Sequence, residues 1–116
     1  MHIVIWLDIS FSIGIGYQYM KASLIRHVKG VDELGNIIEV KMWEMAAPTT
    51  DKPYGCKYSL VYIVNGVRVI GYDNAEGRRD HRHHRETERP YRFKSVNQLV
   101  ADFYDDIKKF KRGEEP

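Results

Sequence analysis

Cysteine is nearly absent from this chain of 116 residues. Cys56 stands alone, which excludes an internal disulfide and a cysteine-built zinc site. A single thiol fits a reducing compartment. Net charge is also scarce: 18 Lys and Arg against 16 Asp and Glu leave +2. The whole-molecule field is therefore weak, and attraction for nucleic acid has to come from a local patch. No apolar run reaches the roughly 20 residues of a membrane-spanning helix. The longest, Ile3 to Ile15, is broken by Asp8, Ser10 and Ser12. Asp8 would be costly in hydrocarbon. No lysine or arginine precedes the run, which argues against a signal peptide. The sequence also shows no internal repeat and no spacing for a βαβ crossover.

What is present suits one globular domain with a modest core. Hydrophobic residues make up 43% of the chain, and 14 residues are aromatic (8 Tyr, 4 Phe, 2 Trp), which argues against disorder. Residues 1–19 read as an apolar extension, either an extra strand or a segment upstream of a true start at Met20. Residues 20–112 then form the domain, and 113–116 a tail.

Two hairpins follow from alternation. Ala22 to Lys29 and Ile37 to Met45 alternate apolar and polar positions around a loop that holds Leu34-Gly35-Asn36. Lys57 to Val64 and Val67 to Tyr72 are rich in Val, Ile and Tyr, and only Asn65-Gly66 separates them. Both turn residues accept positive φ, as a type I′ turn demands. Residues 46–55 hold Pro48, Thr49, Thr50, Asp51 and Pro53 and read as a loop. A short fifth strand is expected at His81–Arg85 or at Tyr91–Phe93. The C-terminal segment reads as a helix. Ser95 and Gln98 form a capping box, and Val96, Leu99, Val100, Phe103, Ile107 and Phe110 make one stripe. Asp102, Asp105 and Asp106 fall off the stripe, with Asp105 placed to pair with Lys109. Gly113 stops the helix. The expected fold is α+β: a four- to five-stranded, mostly antiparallel sheet backed by one C-terminal helix.

The chemistry concentrates in residues 71–85, where three histidines, four arginines and two aspartates stand in 15 residues. If Asp80-His81-Arg82-His83-His84-Arg85 is extended, His81, His83 and Arg85 share one face, and Asp80, Arg82 and His84 the other. Three readings fit these residues. The first is RNA cleavage without a metal. It needs a base and an acid near neutral pKa, and a cation at the phosphate. His81 and His83 supply the first two, Arg82 or Arg85 the third, and Asp73 or Asp80 orients an imidazole. Arg68, Arg78, Arg79, Arg85 and Tyr91 would then border the bound RNA. The second reading is a metal-dependent hydrolase, with His81 and His83 as ligands. Neighbouring arginines disfavour it, so no metal and no other cofactor is assigned. The third is a solvated loop of mixed charge. Between residues 76 and 92, six arginines face four acids, and such surface pairs contribute little. Tyr58, Tyr62, Tyr72 and Trp43 read as packing residues. His27 reads as a surface or half-buried strand residue, and Cys56 as an inert thiol.

With Gly71-Tyr72-Asp73-Asn74, Gly77, Asp80-His81-Arg82-His83, Pro90-Tyr91-x-Phe93 and a helix carrying Leu99 and Ala101-Asp102-Phe103, the chain resembles the TumE family. The resemblance runs from about Met20 to Phe110. Where the family often has a glycine-rich link, this chain reads His84-Arg85-Glu86-Thr87-Glu88. The resemblance implies a cytoplasmic toxin of a type II toxin–antitoxin pair. Its partner would be a cognate antitoxin, usually a helix-turn-helix protein. Ribonuclease activity combines that implication with the first chemical reading. A non-catalytic Arg/His docking surface is the alternative. Exposed sheet edges leave room for a homodimer.

Overall fold

The computed structural model describes residues 3–9, 22–74 and 78–114. Residues 10–21, with Ser10, Ser12, Ile15 and Met20, and Glu76, Gly77, Glu115 and Pro116, which enter the expectations above, lie outside the described residues.

Among the described residues, seven strands follow one another in a single antiparallel sheet, in chain order. They are β1 (Ile3–Ile9), β2 (Ala22–Asp32), β3 (Ile37–Met45), β4 (Cys56–Val64), β5 (Val67–Asp73), β6 (His81–His84) and β7 (Thr87–Pro90). One helix, α1 (Val96–Lys111), closes the chain. The α+β class stands, with more strands than the four or five expected. β1 is one addition, formed by the apolar run at the N-terminal end. The other is β7. Its Thr-Glu-Arg-Pro sequence has no apolar alternation to announce it, and all four residues are exposed. Backbone pairing with β6 creates this strand, and the proline suits an edge because an edge residue can do without its N–H. Residues Tyr91–Phe93, the alternative site for a fifth strand, lie outside any strand.

The Asn65-Gly66 turn takes the backbone its residues allow, with φ of 51° and 76°. Beyond it, alternation sorts the sheet into two faces. Ile38, Val40 and Met42 of β3 oppose Tyr62, Leu60 and Tyr58 of β4. Leu60 and Tyr62 in turn oppose Tyr72 and Ile70 of β5. All of these are buried. Against them α1 lays Leu99, Phe103 and Ile107. Ser95 caps the helix by accepting the Gln98 amide at 3.0 Å. Only half of the expected capping box forms: the Gln98 side chain reaches forward to Asp102 Oδ1 at 2.7 Å. That carboxylate offers a charge-assisted bond, which a backbone amide does not. Asp105 pairs with Lys109 at 3.2 Å, and Gly113 takes φ 75°.

Trp43 is not a core residue. It alternates with buried Met42 and is half-buried on the face away from the helix. Asp106, read as off the stripe, is only 4% exposed. The reason is the tyrosine content of the core. A buried hydroxyl without a partner costs about 1–3 kcal/mol. Each core tyrosine meets a carboxylate instead: Tyr58 donates to Asp80, Tyr62 to Asp32 and Tyr72 to Asp106, each at 2.5 Å. Tyr91 donates to Asp102 at 2.6 Å. Burial, then the adjacent carboxylate, pushes all four hydroxyls well above the ordinary tyrosine value. They therefore remain donors at neutral pH. Two of the four carboxylates belong to α1: Asp106 ties the helix to β5, and Asp102 ties it to the segment that leads into it.

The other end of the helix is held through Asp32. Lys111 Nζ lies 3.2 Å from its carboxylate. Burial raises the Asp32 carboxyl, but bonds from Tyr62, the Asn36 and Leu34 amides and Lys111 outweigh it and leave the group below its ordinary 3.8. A depressed carboxyl stabilises the fold above its unfolded value and ceases to do so as pH falls through the folded value. Urea unfolding should therefore show wild type losing more stability between pH 5 and pH 2.5 than Asp32→Asn. Equal losses would mean that Asp32 contributes nothing to acid sensitivity.

Candidate functional site

The sequence block from Gly71 to Asn74 pairs with His81 to His84 across β5 and β6. The register is Gly71 with His83, Tyr72 with Arg82, and Asp73 with His81. Opposed residues share a face, so the block divides in two. Tyr72 and Arg82 face α1. Gly71, Asp73, His81 and His83 lie on the open face.

On the open face His83 Nε2 meets Asp73 Oδ2 at 2.9 Å. This is a diagonal cross-strand contact. The His83 side chain is only 9% exposed, so its imidazole is held in one orientation. Gly71, opposite His83, leaves room beside it for Arg68. A Cβ there would stand 3.0 Å from Arg68 Cδ and 3.6 Å from His83 Cδ2. Its absence lets the Arg68 side chain lie beside the imidazole. His81 lies on the same face, about 7 Å along the strand by ordinary strand rise. Its Nε2 is 3.5 Å from Arg78 Nη2 and 3.8 Å from Glu88 Oε1. Arg78 and Glu88 also pair with each other. The His81 Nδ1 is buried with no hydrogen-bond partner among the described residues. At the tip of the two hairpins, Arg68 and Arg85 line a groove of about 440 Å³ with Val67, Glu86 and Thr87.

The helix-side residues are engaged differently. Arg82 Nη2 bonds Asp106 at 2.6 Å and its guanidinium lies 5.4 Å from the centre of the Tyr72 ring. Asp80 accepts from Tyr58, and its carbonyl accepts the Tyr91 amide at 3.0 Å. The Tyr91 ring packs edge-on to Tyr72 at 4.9 Å. Arg85 takes φ 54° in the β6–β7 turn, where glycine would be at ease, and its guanidinium covers the Phe110 ring at 5.8 Å. Arg79 is exposed.

The residues given roles in cleavage divide between the two faces. Asp73, His81 and His83 come together. Asp80, Arg82 and Tyr91 belong to the tyrosine–carboxylate contacts beneath the helix. Alternation along a strand forces the split, because neighbours in sequence cannot share a face. Of the arginines expected to border the site, Arg68 and Arg78 stand on its face. Sequence reasoning passed over Gly71 as a spacer and Glu88 as an anchor of Arg78. A glycine inside a β-rich run was the available signal for the first. Asn74 ends the block by structural work: its side chain accepts the Tyr58 amide at 2.8 Å and donates to the Cys56 carbonyl at 2.7 Å.

Among the described residues no three His, Cys, Asp or Glu side chains are grouped to hold a metal ion, and no helix is long and apolar enough to cross a membrane. A family model described as Toxin TumE matches residues 11–111. The chain belongs to that toxin family. The matched stretch begins nine residues before Met20. No curated protein and no solved structure matches the chain.

Proposed function

We propose that this TumE-family toxin is a metal-independent endoribonuclease whose site is the open face of β5 and β6. The observation that carries the reading is the His83–Asp73 pair, with His81 on the same face of the same strand. His83 is the base. It takes the proton from a ribose 2′-hydroxyl, and Asp73 stabilises the imidazolium that forms, as a carboxylate does for a catalytic histidine. The 2′-oxygen attacks the adjacent phosphorus and the bond from phosphorus to the 5′-oxygen breaks. Protonated His81 gives its proton to that leaving oxygen. The products are a 2′,3′-cyclic phosphate and a 5′-hydroxyl end. Arg68 beside His83 holds the phosphate and meets the charge that grows on it. Arg82 and Asp80 act as positioning residues, through Tyr72, Asp106 and Tyr58.

The functional unit is residues 20–112. Its setting is the cytoplasm, and its partner a cognate antitoxin of helix-turn-helix type that blocks this face. Homodimerisation through a sheet edge stays compatible with the reading. Expression of the full chain without antitoxin tests the whole of it. Growth should stop and total RNA should break down, with cyclic-phosphate ends and no effect of chelator. Growth arrest with intact RNA would replace catalysis by a docking surface. Loss of cleavage with chelator and recovery with one ion would point to a metal-dependent nuclease.

A further inference from the structure

We infer that the open face of the sheet, from Trp43 and Lys57 to His81, is a track for single-stranded RNA leading into the proposed site. The substrate class rests on the ribonuclease reading. The track's own contacts, Lys41, Trp43 and Lys57, are residues that reading does not use. Register lines up Lys41, Ser59, Asp73 and His81 in one row across β3, β4, β5 and β6. With strands about 4.8 Å apart, the row spans about 14 Å. One position along, Trp43 opposes Lys57, whose ammonium lies 5.4 Å from the indole centre.

Charge on this face favours an anion. Among the described residues, Lys29, Lys41, Lys57, Arg68 and Arg78 share it with three carboxylates, Glu39, Asp73 and Glu88. Each carboxylate is already engaged: Glu39 by His27 at 2.6 Å and Lys41 at 3.9 Å, Asp73 by His83 at 2.9 Å, and Glu88 by Arg78. Among the described residues α1 covers only the opposite face. The half-buried Trp43 among lysines suits a base that stacks while its phosphates meet the ammonium groups. Open sheet faces that combine aromatic rings with basic side chains bind single strands in this way. A duplex keeps its bases stacked inside and has none to offer to Trp43.

The test is fluorescence anisotropy of the full chain with a labelled 2′-O-methyl oligoribonucleotide, which cannot be cut because the attacking oxygen is blocked. Trp43→Ala should weaken binding about tenfold, and Trp43→Phe, which keeps a ring and the packing beneath it, should stay near wild type. Lys41→Ala and Lys57→Ala should each reduce the slope of log K against log salt by about 0.7. With cleavable RNA, Trp43→Ala, Lys41→Ala and Lys57→Ala should raise KM and leave kcat unchanged. Wild-type affinity in all of them overturns the track, as does equal affinity for a duplex or for polyglutamate. If RNA is cut with unchanged KM in the variants, the track fails and the ribonuclease reading stands. If the oligonucleotide binds through Trp43 but no RNA is ever cut, the ribonuclease reading fails and the track stands.

Discussion

In the His81→Ala/His83→Ala chain, RNA cleavage falls by about 10²–10⁴-fold, the range that positioned proton transfer contributes. Growth arrest disappears with it. Both side chains lie on the open face, away from the core beneath α1, so the double variant folds. The lost His83–Asp73 bond, partly exposed on the carboxylate side, costs about 1 kcal/mol. Far-UV circular dichroism and a melting curve verify this before activity is compared. Wild type should give a bell-shaped pH profile, because one imidazole has to be neutral and the other protonated. Single variants should each lose one limb. Asp73→Asn should bind RNA normally and still cut it slowly, since an amide can hold the ring but cannot stabilise its charged form. Undiminished cleavage in the double variant would remove both histidines from the chemistry.

The second large effect is on stability. Asp106→Ala leaves the Tyr72 hydroxyl, buried at 0% exposure, and the Arg82 guanidinium without their shared acceptor. Arg82 keeps 29% exposure and recovers part of the loss from water. The expected cost is about 3 kcal/mol, or a fall in Tm of about 10 °C for a domain of this size. Asp105→Ala, one position away and 58% exposed, should change Tm by no more than a degree or two. Equal effects of the two would show that the Tyr72–Asp106–Arg82 contact does not hold the helix. The same variant bears on function. Arg82 stands between His81 and His83 in β6, so releasing it loosens both imidazoles. A fall in kcat larger than the change in KM is expected at temperatures where Asp106→Ala is still folded.

Much of this fold was legible from local chemistry. Asn65-Gly66 announces its turn because few residues accept positive φ. The β3 and β4 alternation and the α1 stripe announce their buried faces because a strand repeats every two residues and a helix every 3.6. The C-terminal stop at Gly113 follows from the same backbone rule as the turn. The Gly71–Asn74 and Asp80–His83 blocks marked the site region, and the family match agrees with their resemblance. β7 was not legible, because no residue in it is buried and only its pairing with β6 makes it a strand.

The sequence by itself determined the fold class, the places of β3 to β5 and α1 to within a residue or so, and the set of residues from which a site can be built. Those properties depend on neighbours within a few residues, where alternation, turn chemistry and capping act. Only the tertiary structure decided which of those residues meet. Register across β5 and β6 joined His83 to Asp73 and sent Arg82 and Asp80 to the other face. Four tyrosines drew carboxylates inward that hydropathy alone would leave outside. A hydroxyl taken out of water has to find an acceptor, and that acceptor comes from a distant part of the chain.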